Sequence, residues 1–144
     1  EDFQDVTLKV SGCPNSCGQH HVASVGLWGN AKKIHNHYAP FYWLLVGGGV
    51  EAGVTRFGRP ILNLPAKKGP EAIRALIAAY RKNRGATHQT FKQFLSRISV
   101  EALRGILSSF TVLPAPDQAP DMYRDYGQEV AFAPSAAAQG ECAE

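Results

Sequence analysis

Residues 10–26 read VSGCPNSCGQHHVASVG and hold two of the chain's three cysteines, three glycines and the adjacent pair His20-His21. Upstream, Val6, Leu8 and Val10 alternate with Thr7 and Lys9, the period-two pattern of a half-buried strand that runs straight into Ser11-Gly12. Downstream, Val22 to Leu27 has the composition of a second strand, closed by Gly29-Asn30. The cysteine segment is therefore read as a loop hanging off a strand end.

Phe41 to Val46, FYWLLV, reads as a fully buried third strand. Gly47-Gly48-Gly49 ends it, three residues free to turn at positive φ and to let the backbone approach something bulky. Ile61 to Leu64 supplies a fourth strand. Gly69-Pro70-Glu71 has a helix start, with proline in the first turn and an acid at the positive end of the dipole. Ala72, Ile73, Leu76, Ile77 and Tyr80 then share one face. Phe91, Phe94, Leu95 and Ile98 repeat that spacing in a second helix, and Leu103, Ile106, Leu107 and Phe110 in a third opened by Ser99. These stripes are core. From Leu113 onward, PAPDQAPD and APSAAAQGECAE lack periodicity. The expectation is an α+β fold: a mixed or antiparallel sheet of about four strands with three helices packed on it, plus an irregular C-terminal arm. Residues 1–112 form the domain and 113–144 the Pro/Ala-rich tail or arm, with no internal repeat.

With 44% hydrophobic and 19% charged residues in 144 positions, the composition is that of one soluble globular domain. No run approaches the roughly 20 apolar residues of a membrane span, so no membrane association is expected. The net charge of +3 is spread over Lys32-Lys33, Arg56, Arg59, Lys67-Lys68 and Arg81-Lys82 without a basic stripe interleaved with aromatics, which argues against nucleic acid. Acidic partners, or a ligand with many carboxylates, stay compatible. An odd number of cysteines and the absence of a secretory pattern in EDFQDVTLKV argue for a reduced, cytoplasmic setting rather than a disulfide framework. The chain begins at a strand edge, as a segment of something larger would.

If Cys13 and Cys17 sit one helical turn apart, their Cβ atoms are about 5 to 6 Å apart, wider than the roughly 3.5 to 4.5 Å of a disulfide. The spacing suits two thiolates on two irons of one cluster, or two corners of a zinc tetrahedron. Cys13, Cys17, His20 and His21 nominally make a Cys2His2 set, yet adjacent histidines in one short loop point apart, and structural zinc draws its ligand pairs from separate segments. Thiol redox chemistry favours Cys-x-x-Cys beside a helix start. A cubane cluster needs four thiolates, so two cysteines are half a set.

The stretch SGCPNSCGQHHVASVGLWG resembles the second cluster-binding motif of the assimilatory sulfite and nitrite reductases, the sirohaem and 4Fe-4S family. The likeness lies in a strand ending in Ser, then Gly-Cys-Pro-Asn-x-Cys-Gly, then a strand running into a glycine. It extends through LLVGGG at 44–49, the helix from about residue 70, and the pair TFKQFLSRIS…LRGIL, so that residues 5 to about 110 are covered. CPNSCGQ leans toward the nitrite reductases without separating the two substrates.

The resemblance implies that Cys13 binds one iron of a 4Fe-4S cluster, and that Cys17 binds another while its sulfur serves as axial ligand to the sirohaem iron. It further implies that Ser11, Gly12, Asn15 and Ser16 contact the sirohaem or the cluster. Arg56 and Arg59 are candidates to face the sirohaem carboxylates, and His20 and His21 candidates for supporting donors. The implied reaction is the six-electron reduction of sulfite to sulfide or of nitrite to ammonia, with a ferredoxin or a flavoprotein as electron donor. The family also carries an earlier Cys-x5-Cys pair, and its substrate-binding arginines and lysines lie upstream. Here only Cys142 is left over, so the implied partner is the N-terminal remainder of a reductase, and the segment alone is expected to be inactive. The alternative is a small zinc or iron-sulfur module that carries electrons or binds a partner without catalysis.

Overall fold

The computed structural model describes residues 3–4, 6–84 and 89–134; Cys142 and the rest of the segment after Pro134 lie outside them. Among the described residues there are six strands: β1 (Leu8–Ser11), β2 (Val25–Ile34), β3 (His37–Val46), β4 (Gly49–Glu51), β5 (Val54–Arg56) and β6 (Arg59–Pro65). Three helices follow: α1 (Gly69–Asn83), α2 (Phe91–Arg97) and α3 (Val100–Leu107). The main sheet is mixed, with order β1-β2-β3-β6, β1 parallel to β2 and the other pairs antiparallel. The α+β expectation therefore holds, and the described part of the arm, up to residue 134, carries no strand and no α-helix.

The topology explains the cysteine loop. Parallel neighbours cannot be joined by a tight hairpin and need a crossover of a dozen or so residues. Residues 12–24, the cysteines and a short 3-10 turn at His20–Val22 among them, are that crossover. Thr7 and Ser24 lock its two ends, since Thr7 N–H donates to Ser24 Oγ at 3.2 Å and Ser24 N–H to Thr7 Oγ1 at 3.0 Å. Val6 lies before the strand and packs against the core.

The second strand begins at Val25, three residues later than its composition suggests, and runs through Gly29-Asn30 to Ile34 instead of stopping there. The turn comes at His35-Asn36, both at positive φ (51° and 61°), as a two-residue hairpin loop requires. Gly29 instead lies against the backbone of Gly12. The third strand, by contrast, starts early, at His37, and includes Pro40. Pairing with β6 begins only at Phe41, so at Pro40 β3 has a single neighbour, where a missing N–H is tolerated. Gly47, at φ 81°, ends β3 as anticipated, but Gly49 opens an additional hairpin, β4–β5, whose three-residue strands are too short and exposed to carry a hydrophobic pattern.

Val25, Leu27, Leu44, Val46, Ile61 and Leu64 of the sheet meet Ala72, Leu76 and Tyr80 of α1, Phe91, Phe94 and Leu95 of α2, and Leu103 and Leu107 of α3 in one core. Thr90 caps α2 with a reciprocal bond to Gln93, and Ser99 caps α3 by accepting from Ala102 N–H. Arg59 is drawn into this packing: its guanidinium donates to the carbonyls of Ile98 at 2.9 Å and Leu95 at 2.6 Å, at the end of α2. It therefore does not face a ligand's carboxylates, because the last carbonyls of a helix have no partner within it and take up a nearby cation. Arg56 lies 3.8 Å from Glu51 across the small hairpin.

The arm packs through residue 134. Leu113 and Tyr123 are buried with Ala39 and Phe41 of β3, Tyr123 Oη donates to Pro114 O at 2.8 Å, and Phe132 N–H donates to Tyr123 O at 2.7 Å. Lys67 approaches Asp121 at 3.4 Å and lies over the Tyr126 ring. Among the described residues no helix is long and apolar enough to cross a membrane.

Candidate cofactor-binding loop

The loop leaves the sheet at Ser11 and returns at Gly18, and both ends converge on one oxygen. Ser11, buried, accepts from Gly18 N–H at 3.1 Å, and His20 Nδ1 lies 2.8 Å from the same Oγ. Gly18 is obligatory there, because a Cβ would stand 2.4 Å from Val10 O. Ser16 and Gln19 take left-handed φ values of 60° and 58°. The turn they make is closed by Gln19 N–H donating to Ser16 O at 2.7 Å, and tied to β1 by Lys9 Nζ donating to Gln19 Oε1 at 2.6 Å.

Cys13 and Cys17 are both free thiols, the first half-buried and the second exposed. Gly12 and Cys13 line an open cleft of about 650 Å³ with Trp28, Gly29 and Tyr42, closed on one side by Asp125 and Phe132 of the arm. No atom lies within 4 Å of where a Gly12 Cβ would project, so space is left beside Cys13. Gly29 is the corresponding close approach: its Cβ would meet Gly12 O at 2.7 Å, which is why a glycine interrupts the middle of a strand. Ser16 lines a second cleft, also of about 650 Å³, with Lys9, His21, Phe57 and Lys92. Asn15 is exposed. The anticipated residues thus divide: Gly12 and Cys13 share one cleft, Ser16 borders another, and the Ser11 hydroxyl turns inward.

His20 is fully buried and its ring lies 4.1 Å from that of His21, tilted by 46°, with Trp28 at 6.4 Å; Trp28 in turn stacks on Trp43 at 6.2 Å. Burial, and secondarily the neighbouring His21, hold the His20 pKa below the ordinary 6.5, so the ring is neutral at physiological pH. Its Nε2 has no partner among the described residues. Nothing in the sequence marks His20 as a brace, since its partner Ser11 precedes it by a loop and a turn.

Among the described residues no three Cys, His, Asp or Glu side chains gather as a metal site, so the nominal Cys2His2 set is not assembled. The donor chemistry fits thiolate ligation of an iron-sulfur cluster as half a set: two free cysteines on one glycine-framed loop, with open space beside the first.

Comparisons with known proteins agree. Residues 6–110 match the family described as the nitrite and sulphite reductase 4Fe-4S domain. The assimilatory-type sulfite reductase of Nitratidesulfovibrio vulgaris is 31% identical over 100 residues, which cover 69% of this chain and 41% of that protein. The assimilatory ferredoxin-dependent nitrite reductase of Haloferax mediterranei is 28% identical over 103 residues, covering 72% of this chain and 17% of that protein. The sulfite reductase [NADPH] hemoprotein beta-component of Tolumonas auensis is 30% identical over 119 residues, covering 82% of this chain and 17% of that protein. The NirA protein of Mycobacterium tuberculosis shares the fold, with a TM-score of 0.60 at 24% identity over 69% of this chain and 18% of that one. The chain spans less than half the length of these relatives. With the cysteine loop, the main sheet and the helices built on it falling inside the matched span, the chain belongs to the nitrite and sulphite reductase 4Fe-4S domain family.

Proposed function

We propose that this chain supplies the second cysteine pair of a sirohaem-dependent sulfite or nitrite reductase, an oxidoreductase that takes sulfite to sulfide or nitrite to ammonia by six electrons. Cys13 and Cys17 would hold two irons of a 4Fe-4S cluster, and Cys17 Sγ would also ligate the sirohaem iron. The observation that carries the reading is the pair of free thiols on one loop framed by Gly12 and Gly18. When bound, the two cofactors supply electron storage and an open iron position for the anion.

The chain's own residues hold and shape the site. Gly12 keeps side-chain bulk away from the approach to Cys13. Ser11 participates through its backbone, its hydroxyl being engaged by Gly18 and His20. Asn15 and Ser16 present short polar groups at the loop's outer turn. Residues 1–112 act as the cofactor-binding domain, and the arm from residue 113 walls the cleft beside Cys13. The other two cluster ligands, and the cations that bind the substrate anion, come from reductase sequence outside these 144 residues, with a ferredoxin or a flavoprotein as donor.

The test is metal and chromophore analysis of the complete polypeptide that carries these residues, purified anaerobically. Four irons per polypeptide with a sirohaem Soret band, and loss of both in Cys13→Ser, support the reading. One zinc per chain without colour supports a small metal-binding interaction or electron-carrier module instead, and a metal-free protein contradicts both.

A further inference from the structure

One buried oxygen holds the two ends of the cysteine loop together. Ser11 closes β1, residues 12–17 leave the sheet, and Gly18 brings the chain back beneath the strand end, where its N–H reaches Ser11 Oγ at 3.1 Å. His20 Nδ1 approaches the same oxygen at 2.8 Å. A serine oxygen offers two lone pairs and one proton, so the role of His20 depends on where its single ring proton sits. Nε2 is buried without a partner among the described residues. Orphaned buried N–H groups are rarer than under-satisfied acceptors. The tautomer that avoids one places the proton on Nδ1, and Ser11 Oγ then accepts from both Gly18 and His20.

The ring is not free to leave this position. It packs against His21 at 4.1 Å and lies 6.4 Å from Trp28 of β2, tilted to both rings. Behind it the backbone is pinned against β2, where a Cβ on Gly26 would fall 2.1 Å from His20 O. His20 is therefore held from the sheet and in turn fixes the hydroxyl that receives the Gly18 amide.

We propose that His20 is the positioning residue of the cysteine loop: through Ser11 it fixes Gly18, and with it the direction of the thiol of Cys17, the residue before Gly18. The proposal rests on the reading of Cys17 as a ligand and adds which side chain aims it. Groups that orient a ligand without touching the metal typically change affinity about 10-fold to 100-fold when removed.

Three replacements separate this role from mere filling of space. His20→Asn keeps an amide N–H near the place of Nδ1, His20→Gln shifts that group toward the place of Nε2, and His20→Leu removes it. In the complete polypeptide, hydrogen exchange read at the Gly18 amide should rise about tenfold in His20→Gln and His20→Leu, the equivalent of one lost hydrogen bond, and stay near wild type in His20→Asn. Ser11→Ala should raise it by the same factor, and adding His20→Leu should raise it no further, because both remove one interaction. If His20→Leu does not fold, Ser11→Ala and the Asn/Gln comparison carry the test. The absorption bands of the iron-loaded protein should shift in Gln but not in Asn. Equal exchange at Gly18 in Asn and Gln, or wild-type exchange in Ser11→Ala, overturns the proposal. An iron-free wild-type protein in which Gly18 exchange still follows the Asn/Gln order overturns the ligand reading and leaves the clamp standing.

Discussion

Gly29 and Gly12 touch backbone to backbone: a Cβ added to Gly29 would stand 2.7 Å from the Gly12 carbonyl oxygen. The middle of β2 and the first residue of the cysteine loop are therefore fitted to each other, and the loop's distance from the sheet is set by the lack of a side chain at residue 29. Carbonyl oxygen and strand backbone are both stiff, so Gly29→Ala must displace the loop. We expect a loss of about 1 to 3 kcal/mol, the range of overpacked sites, and a fall in iron bound per folded polypeptide. Urea denaturation with iron analysis reads both. Full iron occupancy in a folded Gly29→Ala protein would show that this contact does not place the thiols.

Arg59 provides a test of structural against ligand-binding roles. Its two bonds to the end of α2 are charge-assisted, a class worth about 1.5 to 3 kcal/mol net per bond when well buried and less when part-exposed. Arg59→Ala should destabilise by about 2 kcal/mol, because the guanidinium is only part-buried, while leaving cofactor content per folded molecule unchanged. Loss of sirohaem at unaltered stability would return Arg59 to the ligand.

The arm is fastened to β3 by Tyr123, whose ring is buried with Ala39 and Phe41 and whose hydroxyl donates to Pro114 O. Tyr123→Phe should cost about 1 kcal/mol, one neutral hydrogen bond. Tyr123→Ala should cost about 3 to 5 kcal/mol, as large-to-small aromatic changes do, and open the arm to limited proteolysis near Tyr126. Unchanged cleavage in the alanine variant would mean that the arm is held by something else.

Stability should also depend on pH through His20. Its folded pKa lies below the ordinary 6.5, chiefly from burial and then from His21, so in the window below 6.5 the unfolded chain binds a proton that the folded chain refuses. The contribution is fully present above 6.5, is lost as pH falls toward the folded value, and changes no further below it. Denaturation midpoints between about pH 7.5 and pH 5.5 should fall in wild type and fall less in His20→Asn, which has no ring to protonate. Equal slopes would place the titration elsewhere.

Much of this architecture is legible in the sequence because its signals are local. Alternation around Leu8 and the run FYWLLV mark strands, while Ser99 marks a helix start that the structure uses as a cap. The cysteine loop is legible because Gly-Cys-Pro-Asn-Ser-Cys-Gly concentrates uncommon residues in a few positions. What escapes the sequence depends on contacts distant along the chain. Gly29 reads as a stop but serves a loop that begins at Gly12. Arg59 reads as a candidate for the sirohaem carboxylates but meets carbonyls of Leu95 and Ile98. His35-Asn36 forms the hairpin turn without the glycine that usually announces one. The hydrogen bond from His20 to Ser11 depends on the crossover returning beneath β1, which no periodicity encodes.

The proposed function rests most heavily on Cys17, which would hold both the cluster and the sirohaem. Cys17→Ser in the complete, anaerobically purified polypeptide, read by visible absorption and low-temperature electron paramagnetic resonance beside the wild type, tests it most directly. The account predicts loss of the coupled spectrum and of most of the iron in a protein that stays folded, since Cys17 is exposed and the core does not rest on it. A Cys17→Ser protein with the wild-type iron content and spectrum would contradict it.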